Sequence, residues 1–315
     1  MKLLSFSGLL KLGAFVLLAW LPAGCSLIDH RTLPVVPSNC RLTSQNNMML
    51  TYTTDGLLTS YGDDRYTYNA EGFVLTRLTY DRITASPYIR HTYQYNQGRL
   101  IGDIEYRYAT DRDLITQTYE YDNSGQLTRL FYRVNGGALY YTSTYLFSGG
   151  KQTDFIQYDG NSGVQTQPYR FENGLIKQVI NQSTAGTPTS VTEYTYNAAG
   201  QLLSTANETT GIYHTYEYID GHPASAAVPA FKGWPVLSLN ATSLNTTSLP
   251  AKDIEYRKDA AGVRYKYGET IHTYTMTASG YPLSDQVNYV TYNATGQVTN
   301  QGSLSKTTYT YDNCN

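Results

Sequence analysis

The side chains that most often carry out chemistry are sparse in this sequence, and they do not fall into the spacings that catalysis or metal binding needs. The histidines are His30, His91, His214, His222 and His272. They form no His-Glu-x-x-His pair, and the three cysteines are not spaced as zinc ligands are. Gly-x-Ser-x-Gly and phosphate-loop patterns are also missing. The sequence therefore predicts no catalytic residue, no metal site and no cofactor.

Two weaker patterns keep other chemistry open. Asp111-Arg112-Asp113 matches part of a calcium loop but lacks the glycine and the final glutamate, which favours a solvated turn. A glycosidase needs only two carboxylates, and their pairing in space is not visible in a sequence. A hydrolase that acts on glycans or peptides therefore stays open, although the sequence favours a protein that is not an enzyme.

Tyrosine dominates the composition. The chain has 315 residues, with 32 Tyr but only 8 Phe and 2 Trp. Tyrosine favours the pleated, half-buried surface of a sheet, so the composition predicts an all-β protein. Charged residues make up 15% of the chain and the formal net charge is −2. Without a basic excess to neutralise phosphates, a nucleic-acid partner is not expected.

Residues 1–24 have the pattern of an export signal. Lysines precede the apolar run 12–21, which is short for a bilayer span and typical of a signal peptide. The ending Leu21-Pro22-Ala23-Gly24-Cys25 resembles a bacterial lipobox, whose cysteine is lipidated and becomes the first mature residue. We therefore expect a lipid on Cys25, a linker over 25–39, and a location at the outer membrane or cell surface, on either side of that membrane. Cleavage near Ala23 without lipidation and a short uncleaved anchor are the alternatives.

If Cys25 carries the lipid, Cys40 and Cys314 remain, one near each end of the mature chain. Export places them in an oxidising compartment, where two remaining thiols favour one disulfide. That bond would close a loop of nearly the whole domain and stabilise it by roughly 5 kcal/mol in the chain-entropy model. The alternative is two unrelated thiols, because a sequence does not give the distance between their Cα atoms.

A sequence motif, which we call the tyrosine phrase, recurs about every 25 residues. It consists of aromatic-x-aromatic, then Asn or Asp, then Gly, and then an aliphatic residue. Its clearest copies are Tyr119–Leu127 and Tyr194–Leu202. Asn, Asp and Gly favour turns, and strand side chains alternate between two faces. Each phrase therefore predicts the end of one strand, a turn and the start of the next strand. The glycines of successive copies are Gly72, Gly98, Gly125, Gly149, Gly174 and Gly200.

The repeat predicts one all-β domain over 40–315. We expect a long antiparallel meander of about twenty Tyr-rich strands, each about nine residues long, in a strongly twisted or curled sheet, for which a half-barrel is one form. One face of each strand is aromatic and the other is polar. We interpret the tyrosine rows as the core of the curled sheet, because the fold needs their burial. A stacking platform for glycans, peptides or a partner protein is the alternative.

An irregular insertion at 222–252 interrupts the array. A stretch this long inside a domain is usually a functional loop, a lid or a short local element. It contains Phe231 and Trp234, which are therefore candidate ligand-binding residues. Aromatic residues are common both at binding sites and in cores, so the alternative is that these two side chains fill the concave aromatic face.

Tyr121-Asp122-Asn123-Ser124-Gly125-Gln126-Leu127 is similar to the YD repeat of Rhs and teneurin-type shells. The mature chain as a whole resembles an exported lipoprotein family of Bacteroidota, whose members carry a lipid cysteine, Tyr-rich hairpin repeats, a late Pro-containing break and a final Tyr-x-Tyr near a terminal cysteine. The corresponding features here are the break at 222–252, Tyr274 with Gly280-Tyr281-Pro282, and Tyr309-x-Tyr311 before Cys314. The resemblance implies an envelope location and no known enzymatic activity.

We therefore expect a non-enzymatic cell-envelope lipoprotein that acts as a binding or structural module. Its partners would be the membrane, through the N-terminal lipid, and a glycan or envelope-protein ligand. An envelope hydrolase and a lipid or lipoprotein carrier are the alternatives. Paired acids in a cleft would favour the hydrolase, an apolar groove the carrier, and a wet face with exposed tyrosines the binding module.

Overall fold

The structure, a computed structural model, describes residues 40–110, 112–134, 137–183, 187–235 and 248–314. The predicted signal peptide, Cys25, the linker and Asp111 lie outside these residues. Strands make up most of the described chain, and its one helical element is the short 3₁₀ helix Ala224–Ala227. No helix in these ranges is long and apolar enough to cross a membrane.

The described residues form twenty strands, from four residues in the shortest to fifteen in the longest. In chain order they are β1 Arg41–Gln45, β2 Met48–Tyr52, β3 Leu58–Tyr61, β4 Asp64–Tyr68, β5 Val74–Tyr80, β6 Pro87–Asn96, β7 Arg99–Arg107, β8 Arg112–Tyr121, β9 Leu127–Val134, β10 Ala138–Ser148, β11 Lys151–Asp159, β12 Gln165–Glu172, β13 Leu175–Gln182, β14 Pro188–Tyr196, β15 Leu202–Asn207, β16 Ile212–Asp220, β17 Ser248–Lys258, β18 Arg264–Met276, β19 Pro282–Tyr292 and β20 Val298–Asp312.

Each strand pairs antiparallel with the strands before and after it in the sequence, and β20 pairs with β1. The predicted all-β meander is confirmed, and it curls further than a half-barrel because the sheet closes into a β-barrel. The closing seam is short, since β20 pairs with β1 only through its last four residues, Tyr309–Asp312. A disulfide between Cys40 and Cys314, whose Cα atoms are 4.5 Å apart, lies beside this seam.

The tyrosine phrase makes the turns that the sequence predicts. In the copy after β4, Oδ1 of Asn69 accepts hydrogen bonds from the backbone N–H groups of Glu71 (3.0 Å) and Phe73 (2.9 Å). Gly72 has a φ of 84°, which only glycine adopts without strain. The same geometry recurs at Asn197, where Oδ1 binds the N–H groups two and four residues later. The side chain of one residue therefore fixes each of these five-residue loops.

The segment 221–235, which we call the plug, packs against one face of the sheet, and we call that face inner. Paired residues on neighbouring strands lie on the same face, so the strand register identifies the inner face on every strand of the barrel. Its buried residues form three separate clusters rather than one core. A barrel of twenty strands is too wide for side chains to meet across its centre, which explains this division. Tyrosines belong to the buried parts of these clusters, as the core interpretation expects: Tyr93, Tyr145 and Tyr281.

The plug crosses from the end of β16 to the β4–β7 region, ten strands away around the ring. The rings of Phe231 and Tyr66 are 5.1 Å apart, and those of Trp234 and Tyr93 are 4.9 Å apart. The backbone N–H of Leu100 also donates to the plug at Gly233. The irregular segment is shorter than the predicted 222–252, since β17 already begins at Ser248. The backbone hydrogen bonds available along β16 explain this, because β16 pairs with β17 back to that residue.

Candidate functional site

The inner face carries the same group of ionisable residues twice. We call His91–Tyr93 on β6 with Asp103–Arg107 on β7 module A. We call His214–Tyr216 on β16 with Asp253–Arg257 on β17 module B. The two modules read His-Thr-Tyr on the first strand and Asp-Ile-Glu-Tyr-Arg on the second. The histidine and aspartate are 12 residues apart in module A and 39 apart in module B, because the chain of the plug lies between β16 and β17.

Equal register gives the two modules equal geometry. In both, the histidine lies opposite the glutamate and the tyrosine opposite the aspartate. Nδ1 of the histidine is 2.8 Å from the aspartate oxygen in module A and 2.9 Å in module B. The histidine ring stacks on the tyrosine ring at 6.0 Å and 6.1 Å. The arginine Nε donates to the glutamate at 2.8 Å and 2.6 Å.

Module A is sealed by two neighbouring side chains. Arg77 on β5 lies opposite His91, and its Nη2 is 2.8 Å from Nε2 of the histidine. A guanidinium only donates, so Nε2 accepts and Nδ1 carries the hydrogen that is given to Asp103. On the other side, Ile115 of β8 lies opposite Glu105. The side chains of His91, Asp103 and Glu105 are only 10–11% exposed.

Module B has smaller neighbours at both of these positions. Thr205 lies opposite His214 where module A has Arg77, and Gly268 lies opposite Glu255 where module A has Ile115. The side chains of His214 and Asp253 are accordingly 27% and 37% exposed. Within the described chain, Nδ1 of His214 is the ring nitrogen that is hydrogen-bonded, to Asp253. Module B is therefore the open copy of a group that is closed in module A.

A pocket of about 100 Å³ lies over Gly268. Its lining includes two tyrosines, Tyr267 and Tyr289, and the histidine and two acids of module B. The remaining lining residues are small or aliphatic apart from a third acid. The full lining is His214, Asp253, Glu255, Tyr267, Gly268, Glu269, Thr270, Tyr289, Val290 and Thr291.

The glycine in the floor of the pocket is not needed for the backbone. Gly268 lacks a positive φ, and a Cβ built there would meet its nearest neighbours at 3.4 Å (Val290) and 3.7 Å (Thr291), which are ordinary contacts. A glycine inside a strand weakens the strand and often marks the close approach of a ligand or another backbone. The missing side chain at Gly268 is therefore what keeps the pocket empty of protein.

The electrostatics of module B favour a charged histidine and a neutral tyrosine. The hydrogen bond from His214 to Asp253 raises the pKa of the histidine, although partial burial opposes this. Burial raises the pKa of Tyr216 to about 12, so its hydroxyl stays protonated at neutral pH. Arg257, whose guanidinium lies 3.3 Å from the centre of the Tyr267 ring, also holds Glu255. The pocket thus offers acceptors and donors that are already oriented by neighbours.

A third, partial copy lies next to module B. His272–Tyr274 on β18 again reads His-Thr-Tyr, and Nδ1 of His272 is 3.0 Å from Asp285 on β19. The histidine and tyrosine rings stack at 5.9 Å. The glutamate is replaced by Val287, which lies opposite His272. This copy lacks the second acid and contributes no residue to the pocket lining.

The candidate ligand-binding residues of the sequence analysis do not line the pocket. Phe231 and Trp234 pack on the inner face of β4–β6, and Nε1 of Trp234 donates to the hydroxyl of Tyr95 at 2.9 Å. These contacts match the interpretation in which the two rings fill the aromatic face. Asp253 and Glu255 were not singled out. Two repeated short motifs could have pointed to them, since His-Thr-Tyr occurs three times in the sequence and Asp-Ile-Glu-Tyr-Arg twice.

Comparison with solved structures finds porin-like proteins from two Bacteroides species. The one from Bacteroides uniformis is 18% identical, with 78% of this chain and 100% of that chain covered and a TM-score of 0.35. The one from Bacteroides vulgatus is 14% identical, with 86% and 99% covered and a TM-score of 0.31. The Tc holotoxin pore of Photorhabdus luminescens is 12% identical, with 82% and 18% covered and a TM-score of 0.19.

No protein-family model matches the chain, and no curated protein matches its sequence. The likenesses to solved structures are distant, and identities this low say nothing about the residues of the pocket. Among the residues with described positions, no three His, Cys, Asp or Glu side chains are grouped as metal ligands would be.

Proposed function

We propose that this protein is a non-enzymatic, lipid-anchored binding module of the cell envelope, and that its pocket over Gly268 binds a glycan. One observation carries the proposal: the same group of residues is sealed by Arg77 and Ile115 in module A and left open by Thr205 and Gly268 in module B. A group needed only for stability would be expected to be packed equally well in both copies.

The lining of the pocket matches the chemistry of a sugar. A sugar ring has apolar C–H faces, which pack on aromatic rings, and hydroxyl groups, which donate to carboxylates and accept from nitrogen donors. Among the lining residues, Tyr267 offers an aromatic ring, while Asp253, Glu255 and His214 offer the polar groups. A few oriented polar groups among aromatic side chains are typical of small-ligand sites. At ~30 Å³ per water, the pocket holds about three waters, which suits one edge of a single sugar unit.

A hydrolase is the second candidate, because Asp253 and Glu255 line the same pocket. They are two residues apart on one strand, so both side chains lie on the same face of the sheet, and a glycosidase needs a pair of neighbouring carboxyl groups. Each is already engaged, however, since Asp253 accepts from His214 and Glu255 from Arg257. Binding without turnover is therefore the expected behaviour.

The outer face supports anchoring through a lipid rather than through the strands. Membrane-spanning barrels carry an apolar outer band. Here the outer positions of β8 and β9 include Glu120 and Arg129, which lie opposite each other, 50% and 57% exposed, with their charged groups 3.8 Å apart. Further charges point to the same side in register with these strands. They include Arg90, Arg133, Glu193, Glu217 and Lys252.

Binding of the mature chain to an array of envelope oligosaccharides, followed by calorimetry with the strongest binder, tests the proposal. The decisive variant is Gly268→Ile, which places in module B the side chain that module A has at Ile115. The backbone accepts a side chain there, because φ is not positive and a Cβ at this position makes ordinary contacts. We expect at least a tenfold loss of affinity.

Ser305→Ile is the matched control. Ser305 lies on the inner face of β20 opposite Val287, outside the pocket lining, so it receives the same side chain on the same surface. We expect its affinity to equal that of the wild type. Unchanged binding by Gly268→Ile would refute the site. Release of sugar products by the wild type, abolished by Glu255→Gln, would replace the binding module with the hydrolase.

A further inference from the structure

A second and larger cavity, which we call the groove, lies between the plug and the inner face of β1–β3. Its volume is about 590 Å³, inside the range of small-ligand sites. The wall is made by aliphatic and tyrosine side chains from the sheet on one side and by the 3₁₀ helix region of the plug on the other. The lining residues are Leu42, Gln45, Leu50, Leu58, Tyr61, Pro223, Ala224, Ser225, Val228, Ala230 and Tyr309.

The chemistry of this groove fits a neutral apolar chain. None of its lining residues carries a charge. Leu42, Leu50 and Leu58 are at most 4% exposed and form its floor, in the same buried cluster as Ala227 and Tyr281. The hydroxyl of Tyr61 donates to Oε1 of Gln45 at 3.1 Å, so two of the few polar groups already satisfy each other. Burial of each methylene in such a groove would contribute about 0.8 kcal/mol.

The groove lies where the N-terminal linker joins the domain. Cys40 is the first described residue, and it belongs to the same hydrophobic cluster as the lining residue Leu42. Cys25 precedes Cys40 by 15 residues. Fifteen residues reach at most ~50 Å when fully extended. Cys25 therefore lies no further than ~50 Å from Cys40, so a lipid on it is held near the groove.

We propose that the groove holds one acyl chain of the lipid on Cys25 of the same molecule. This inference rests on the lipid anchor in the proposed function, but it is independent of the glycan site. It goes beyond anchoring, because a chain held in the protein is withdrawn from the membrane. One acyl chain gives only marginal membrane binding, and stable anchoring needs a second signal. Occupancy of the groove would therefore make the protein exchange between membranes more readily.

Photocrosslinking with a diazirine-bearing palmitate, supplied to cells that express the full chain, tests the proposal. After irradiation and digestion, mass spectrometry locates the adducts. We expect the wild type to carry a crosslink from the Cys25 lipid to lining residues such as Leu58 or Val228. Ala230→Trp, which fills the groove from an exposed lining position, should reduce the crosslink at least tenfold. Pro229→Trp is the control, because Pro229 is exposed next to the groove and outside its lining.

The remaining outcomes each count against the proposal. If Cys25→Ser still yields crosslinks in the groove, the occupant is a free fatty acid or another lipid supplied from outside. If the wild type shows a labelled Cys25 but no adduct in the groove, the groove holds no acyl chain. An unlabelled Cys25 would overturn both the anchor and this inference, while glycan binding by the soluble chain would still be measured separately. A Cys40–Cys314 disulfide in each variant, seen on a non-reducing gel, confirms that it has folded.

Discussion

Removal of the Cys40–Cys314 disulfide should have a large and calculable effect on stability. The bond joins residues 274 positions apart, so it restricts nearly the whole unfolded domain. For a closed loop of this length the chain-entropy model gives about 5.5 kcal/mol at 25 °C. The unfolding entropy of a domain this size is ~0.6 kcal/mol/K, so the loss corresponds to about 10 °C in Tm. We expect this fall for the double variant Cys40→Ser, Cys314→Ser, in which neither partner of the bond is left as a free thiol.

The structure also predicts where the variant loosens first. The seam beside the disulfide consists of the short strand β1 and the last four residues of β20, and a bulge interrupts it after Leu42. Without the cross-link, hydrogen exchange should accelerate in 41–45 and 309–312 before it changes in β6–β11. Calorimetry and exchange mass spectrometry of wild type and variant check both statements. A Tm change below 2 °C, or exchange that rises equally in all strands, would refute the reasoning.

Three further predictions concern the plug, module B and the turns. Trp234→Ala should lower the free energy of unfolding by about 2–3 kcal/mol in urea denaturation, because the partly buried ring packs against a hydrophobic cluster; less than 1 kcal/mol would mean that the ring stands free. Because Asp253 raises the pKa of His214, the pair stabilises the fold fully below pH about 6.5, and this contribution is lost as pH rises through the raised pKa. Asp253→Asn should flatten that pH dependence, and an unaltered profile would contradict the pairing. Gly200→Ala should cost about 1 kcal/mol because its φ is 79°, whereas Gly268→Ala should cost less; equal losses would contradict the conformational difference.

Local rules were enough to predict the strands and turns. The phrase around Asn69 and Gly72 combines a side chain that binds its own backbone with a residue that adopts positive φ, and both effects act within five residues. The alternation of aromatic and polar residues then fixes which face is buried. This is why the all-β meander and its approximate strand number were predictable before any coordinates.

The closure of the ring and the pocket depend on contacts between distant residues. The pairing of Leu42 with Tyr311 joins the two ends of the domain, and no local rule specifies whether a meander closes. Module B assembles from residues 39 positions apart because β16 and β17 pair across the insertion. The pocket over Gly268 depends on bulky side chains that are present in module A and missing in module B. This difference is seen only when the two modules are aligned by strand register.

The site over Gly268 is tested most directly by NMR of the mature chain labelled with ¹⁵N-glycine. Titration with the oligosaccharide that binds most tightly on the array should move the Gly268 amide resonance more than any other glycine resonance, with a concentration dependence equal to the calorimetric Kd. An unmoved Gly268 resonance, with shifts confined to Gly221 and Gly233 in the plug, would contradict the account.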